Sequence, residues 1–246
     1  FAGEGEEKTW DMLLRLIRYG DRIGGSKEEI AMRKYDTVLF DLDGTLLNTL
    51  DDLADSVNHI LTANGCPLRS REEVRSFLGT GSRRLMAQAL PQGENTPDFE
   101  QLLEEYKEWY NTHCMVRTDF YPGVAQVLER LKQEGCAVAV VSNKHAAAAS
   151  RLKEKFFPDL LAMGQTEGIR RKPAPDMVEA ALQKLGRTKE GAVYVGDSEV
   201  DLETARNAGL PCILVSWGFR SRKALEPLGA EHLVDTAEEL LTCLVG

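Results

Sequence analysis

No stretch of this sequence stays apolar for the ~18–20 residues that a membrane-spanning helix needs, and nothing in it resembles a cleavable signal peptide. It has no Cys-x-x-Cys pair. Its five cysteines (Cys66, Cys114, Cys136, Cys212 and Cys243) are odd in number and far apart, which argues against a disulfide framework or a zinc site and for reduced thiols. Cys136 and Cys212 adjoin apolar runs and read as small buried hydrophobes. It has no basic block either: 30 Lys and Arg stand against 39 Asp and Glu, for a net charge of −9, so neither nucleic acid nor a membrane surface is an expected partner. Histidine is scarce, and His59, His113, His145 and His232 do not cluster; His145 falls nearest the polar motifs, where a surface or capping role is expected. The exclusions leave a soluble, cytoplasmic globular chain whose 246 residues suffice for a core domain and a smaller companion. Monomer and homodimer both remain open.

Residues 1–33 stand apart. Trp10, Leu13, Leu14, Leu16 and Ile17 recur at near-helical spacing before Gly20, Gly24, Gly25 and Ser26 break the pattern. The expectation is an N-terminal extension outside the working unit, with native synthesis starting at Met32; the alternative is a genuine extension that packs on the rest. From Thr37 the pattern changes. Compact apolar runs at 37–40, 137–141, 192–195 and 212–215, with a weaker one near 160–163, suit parallel strands buried on both faces. Helix-like segments lie between them at 124–133, 145–156, 176–185 and 202–208, several stopped by glycine, as at Gly135, Gly186 and Gly209. This alternation predicts an α/β fold, a doubly wound, Rossmann-like core with a parallel sheet. Residues 51–116 break it with four helical patterns and no convincing strand. They read as a small all-helical cap inserted after the first strand, and 34–50 with 117–246 as the core. The joints would be 45–50 and 117–123.

Ligands of an open parallel sheet bind beyond the carboxyl ends of its strands, and four polar clusters fall there. Asp41-Leu42-Asp43-Gly44-Thr45 follows the first strand and offers two carboxylates on a glycine turn; a plain Asp/Gly turn is the bland alternative. Ser142-Asn143-Lys144 offers a hydroxyl and backbone amides to an anion, or merely a helix cap. Lys172 in Lys172-Pro173-Ala174-Pro175 is a fixed cation or an exposed loop lysine. Gly196-Asp197-Ser198 with Asp201 adds carboxylates for an oxygen-ligated cation such as Mg²⁺, or acids at a helix start. Each cluster alone has an ordinary explanation. Together they supply a nucleophile, an acid/base, a hydroxyl, a cation and metal ligands.

In this order the clusters resemble the signature motifs of the haloacid-dehalogenase-like superfamily, from about residue 34 to the end, and the insert's place resembles the phosphoglycolate phosphatase-like branch. The resemblance implies a phosphatase with Asp41 as nucleophile and Asp43 as general acid/base. It places Mg²⁺ on Asp41, Asp197 and the Asp43 carbonyl, the phosphoryl group on Ser142, Asn143 and Lys172, and Thr45 and Asp201 behind them as supports. Asp43, absent from dehalogenases, favours phosphate esters; Leu53, at the position of the mutases' cap histidine, disfavours a mutase. Phe77-Leu78-Gly79-Thr80-Gly81 resembles the cap specificity loop of phosphoglycolate phosphatases, and Tyr121-Pro122-Gly123-Val124 and Trp217-Gly218-Phe219 are similar too. The expected substrate is a small phosphorylated metabolite, phosphoglycolate first, with pyrophosphate and sugar or nucleotide phosphates as alternatives and a non-catalytic phosphate sensor as the alternative of another kind. Gly79 and Gly81 would bring backbone close to the substrate, and Arg83 and Arg84 would meet its carboxylate; a solvated helix face is the alternative for either arginine.

Overall fold

The computed structural model of the protein describes residues 34–246. The expectations for residues 1–33 lie outside the described residues. Strand β1 (Thr37–Phe40) leads through a short strand, β2 (Leu47–Asn48), into helices α1 (Leu50–Ala63), α2 (Arg71–Phe77), α3 (Ser82–Ala89) and α4 (Phe99–His113). The chain returns in β3 (Asp119–Phe120) and then alternates: α5 (Val124–Gln133), β4 (Ala137–His145), α6 (Ala146–Phe156), β5 (Leu161–Gln165), α7 (Asp176–Leu185) and β6 (Ala192–Gly196). It ends with α8 (Glu199–Ala208), β7 (Cys212–Val215), α9 (Arg222–Leu225), β8 (His232–Val234) and α10 (Ala237–Val245). Among the described residues no helix is long and apolar enough to cross a membrane.

Six strands form one sheet in the order β5-β4-β1-β6-β7-β8, and every pairing in it is parallel. The chain moves outward from β1 to one side and then to the other, so β1 and its neighbours flank the point where the winding reverses. Side chains alternate across each strand. Val38, Phe40, Val138, Val140, Val193, Val195, Ile213 and Val215 join one apolar cluster. Leu39, Ala139, Val141, Tyr194, Cys212 and Leu214 join another, together with Met177, Val178 and Ala181 of α7. The unbroken apolar runs follow from this burial on both faces, and each fully buried Val, Leu or Phe contributes roughly 1.5–3 kcal/mol.

The structure departs from the sequence expectations mainly where elements are short or irregular. β4 runs on through Ser142-Asn143-Lys144 to His145, with its pairing to β5 shifted between Val141 and His145; neither Ser142 nor Asn143 caps α6, which starts after His145. α8 starts at Glu199 rather than Leu202 because Ser198 and Asp201 build its first turn. β8 is only three residues long, too short to register as an apolar run. β2 and β3 pair antiparallel, Leu47 with Phe120 and Asn48 with Asp119, so the two joints form a ribbon.

A buried carboxylate ties the same junction. Asp52 on α1 accepts the backbone N–H groups of Val116 at 3.0 Å, Arg117 at 2.9 Å and Thr118 at 2.9 Å, and the Thr118 hydroxyl at 2.7 Å. Four donors satisfy a charge that would otherwise be costly at 2% exposure.

Candidate active site

Asp41 follows the last residue of β1, and its N–H is held by the Val195 carbonyl of β6 at 2.9 Å. That bond continues the ladder one residue past the strand and points the nucleophile candidate out of the sheet edge. Lys172 Nζ reaches Asp41 Oδ1 at 2.6 Å, Asp201 Oδ1 at 2.8 Å and the Tyr194 hydroxyl at 3.0 Å. Its backbone is gripped as well: the Lys172 N–H donates to Asn143 Oδ1 at 2.8 Å and the Asn143 amide returns a bond to the Lys172 carbonyl at 3.0 Å. Burial alone would lower the Lys172 pKa, but Asp201 and Asp41 hold it well above the usual lysine range. Burial pushes the Asp41 carboxyl up to about 7, against the pull of Lys172, with Asp201 and Asp43 adding to the push.

Asp201 divides its two oxygens between two tasks. Oδ1 faces Lys172, while Oδ2 accepts the N–H of Asp197 at 3.2 Å, the N–H of Ser198 at 3.1 Å and the Ser198 hydroxyl at 2.5 Å. The helix-start role read in the sequence and the supporting role implied by the resemblance are both present. Asp197 accepts from the Phe219 N–H at 2.6 Å and, at a long 3.4 Å, from the Thr45 hydroxyl. Burial pushes its carboxyl well up, reinforced by Asp201 and Asp41. Glycine is required around it: a Cβ on Gly218 would lie 2.3 Å from the Gly44 carbonyl oxygen and 2.4 Å from Asp197 Oδ2, and one on Gly44 would meet Asp197 at 2.4 Å.

Asp41, Asp197 and Asp201 each bring an oxygen within 4.8 Å of the others. An all-oxygen, buried, anionic donor set fits a hard divalent cation. Within it Asp201 already accepts from five donors, so Asp41 and Asp197, which accept fewer, are the carboxylates better placed to serve as ligands.

Above Asp41 lies a small cavity, about 60 Å³, walled on one side by Asp41, Asp43, Ser142, Asn143 and Lys144 and on the other by Leu53, Leu78, Gly79, Gly81, Ser82, Leu85, Tyr106 and Tyr110. Gly79 and Gly81 have φ of 114° and 90°, a region open to glycine and strained for other residues. Core side chains hold the loop's successive carbonyls: Arg220 donates to Leu78 O at 3.1 Å, Asn143 to Gly79 O at 3.2 Å and Arg171 to Thr80 O at 3.3 Å. Of the two alternatives for the cap arginines, the structure shows the helix face. Neither Arg83 nor Arg84 lines the cavity; Arg83 turns away to Glu94 at 2.8 Å and Glu100 at 2.7 Å. Asn143, expected at the phosphate, spends its amide on Lys172 and Gly79.

Several residues at the site had no role in the sequence reading. Lys144, though quoted within its motif, pairs with Asp43 Oδ1 at 3.0 Å and with the Tyr110 hydroxyl at 2.6 Å. Thr49 donates to the same Asp43 oxygen at 2.7 Å. Tyr194 could have been suspected, since a phenol inside a buried strand needs a partner. Tyr110 carried a weaker signal, standing one turn after Tyr106 on the apolar face of α4.

The haloacid dehalogenase-like hydrolase family model matches residues 38–215. A phosphoglycolate phosphatase of Rhodobacter capsulatus is 34% identical over 189 residues, which are 74% of this chain and 85% of that protein. The pyrophosphatase PpaX of Bacillus cereus is 30% identical over 217 residues, 86% of this chain and 97% of that protein. A crystal structure from Lactobacillus delbrueckii subsp. bulgaricus, provisionally named a phosphoglycolate phosphatase, superimposes with a TM-score of 0.80 at 35% identity, covering 87% of this chain and all of that one. With the strand-end carboxylates and lysine in place, the chain belongs to the haloacid dehalogenase-like hydrolase family, among the phosphatases that resemble phosphoglycolate phosphatase.

Proposed function

We propose that this chain is a Mg²⁺-dependent phosphatase that hydrolyses a small phosphorylated metabolite, phosphoglycolate foremost, through a phosphorylated Asp41. The observation that carries the reading is the Asp41 carboxylate at the sheet edge with Lys172 at 2.6 Å and Asp197 alongside. Phosphoryl transfer depends mostly on positioning and charge neutralisation. Asp41 and Asp197, with the Asp43 carbonyl, would hold Mg²⁺, which when bound offsets the negative charge of carboxylate and phosphoryl group.

The chain's own residues then act in two stages. An Asp41 oxygen attacks phosphorus, and the bond from phosphorus to the ester oxygen breaks. Asp43 Oδ1 accepts from Thr49 and Lys144, so the transferable proton rides on Oδ2 and passes to the leaving alkoxide. Asp43 next takes a proton from water as that water attacks phosphorus, releasing phosphate and restoring Asp41. Lys172, fixed by Asp201 and Tyr194, shares its ammonium between Asp41 and a phosphoryl oxygen; Ser142 lies within the same wall. The helical insert serves as a cap that excludes water, with the β2–β3 ribbon as its joint. Support for a small substrate comes from the size of the cavity and from the named relatives.

Phosphate release in Mg²⁺ from phosphoglycolate, pyrophosphate, sugar phosphates and nucleotides tests the proposal. Phosphoglycolate should lead, chelation should stop turnover, and Asp41→Asn should be inactive. Release from none of them, or full activity in Asp41→Asn, defeats it.

A further inference from the structure

We infer that Lys144 is the residue that selects the substrate, by binding a carboxylate carried on the alcohol side of the phosphate ester. The inference rests on the roles given above to Asp41 and Asp43, and it assigns to Lys144 the task that the sequence placed on Arg83 and Arg84.

Three observations converge on this side chain. First, it is a cation in the cavity wall with little access to bulk water: Lys144 is 7% exposed. The other lysine in that wall, Lys107, is paired with Glu104 at 2.5 Å, and Lys172 is committed to Asp41 and Asp201. Second, Lys144 sits on the leaving-group side. Its Nζ is 3.0 Å from Asp43 Oδ1. Asp43 must come within about 2.6–3.2 Å of the ester oxygen to protonate it. A carboxylate on the adjoining carbon then falls within reach of the same ammonium. Third, the ammonium has capacity left: a lysine has three N–H donors, and among the described residues Asp43 and Tyr110 take one each. Tyr110 adds a hydroxyl at the same spot, positioned by the stacking of its ring on Tyr106 at 5.9 Å between centroids.

The surrounding surface sharpens the choice of anion. Leu53, Leu78, Leu85 and Ala148 close the wall around this point, so an anion placed here loses water on most sides and needs its counter-charge inside. One ammonium and one hydroxyl match the single charge of a carboxylate. The phosphoryl leaving group of pyrophosphate brings more charge than Lys144 alone can balance. A neutral alkyl or aryl group finds apolar contact there but leaves the ammonium with only Asp43 and Tyr110. The substrate class is therefore a short phosphomonoester bearing a carboxylate next to the ester carbon.

The test compares phosphoglycolate with ethyl phosphate, which differ in the carboxylate, and with pyrophosphate. In Lys144→Met the preference for phosphoglycolate over ethyl phosphate, as a ratio of kcat/KM, should fall by about 30-fold, the scale of a lost charge-assisted hydrogen bond. The loss should fall chiefly on KM, and Lys144→Arg should restore most of the ratio. Titration of Asp41→Asn with phosphoglycolate gives a second readout free of turnover, where adding Lys144→Met should weaken binding by a similar factor while ethyl phosphate binding changes little. Lys144→Gln, checked by thermal melting, replaces the Met variant if that one does not fold. Equal losses on both esters would reduce Lys144 to a support for Asp43 and overturn the inference. So would a wild-type preference for pyrophosphate that Lys144→Met abolishes. A wild type that releases phosphate from no ester defeats the functional reading itself, whereas turnover with an unmoved ratio defeats only the role of Lys144.

Discussion

At the strand ends of the core, charged groups are locked to one another: Lys172 meets Asp41, Asp201 and Tyr194 within 3.0 Å, and Asp201 uses both oxygens. The helical insert across the cavity presents Leu53, Leu78, Leu85, Gly79 and Gly81, and the arginine expected to look inward, Arg83, is bound to acids of the insert's own surface. The two walls divide the work. Groups that must hold position to within a fraction of an ångström stand at the strand ends with several bonds each, and the insert brings apolar side chains and backbone to the other wall. The core reaches across to the insert at Asn143, Arg171 and Arg220, which hold the glycine loop, and at Lys144 with Tyr110.

Substitutions on the two walls should therefore differ by orders of magnitude. Asp41→Asn should lower kcat by about 10⁴-fold or more while leaving the fold intact, because it exchanges the attacking carboxylate for a poorly nucleophilic amide of nearly the same volume; steady-state phosphate release and circular dichroism check both halves. Next comes Gly218→Ala, whose added methyl must displace either the Gly44 carbonyl or Asp197. A shift of about 1 Å there should cost roughly 100-fold in kcat/KM, with a raised Mg²⁺ requirement in an activity titration.

A pH experiment sharpens the contrast without measuring turnover. The folded-state pKa of Asp41 is raised from 3.8 to about 7 by burial, so between those values the native state binds more protons than the unfolded one and stability falls as pH rises. In chelator, Asp41→Asn should thus melt higher than wild type, by a margin that grows between about pH 4 and 7 and shrinks when Mg²⁺ is added; a margin that is flat with pH would contradict the assignment. The smallest effect is expected on the insert's outer face. Arg83→Ala breaks an exposed ion-pair cluster and should change stability by about 0–1 kcal/mol and kcat/KM for phosphoglycolate by less than about threefold, whereas a large and selective loss would return the carboxylate to that arginine.

Much of this arrangement was legible in the residues. Apolar runs buried on both faces are the plainest signal a parallel strand produces, and Asp41, Asp197 and Lys172 each stand just beyond such a run or in a proline turn. Elements resting on few residues escaped notice: β8, at three residues, and the β2–β3 ribbon, at two residues a side, carry too little periodicity to be seen. The direction of a side chain is not written in its spacing, which is why the sequence left Arg83 open between a substrate carboxylate and a solvated helix face. A sequence shows two arginines after two glycines, but not that Glu94 and Glu100 lie within ion-pair distance of the first. Lys144 was visible as a letter in its motif, yet its task depends on Asp43 and Tyr110, which come from distant parts of the chain.

The Asp52 carboxylate has a consequence for how such a molecule can vary. It binds the returning chain at Val116, Arg117 and Thr118, so departure and re-entry of the insert are fastened together close to the sheet, whatever the intervening helices do. The closure cost of a loop grows only slowly with its length. Behind that fastening the helices can lengthen, shorten or be exchanged for another module with little penalty to the core, provided Asp52 and its three amide partners stay. The junction acts as a socket, and a chimaera that carries a foreign helical module between Asp52 and Val116 should still fold on this sheet.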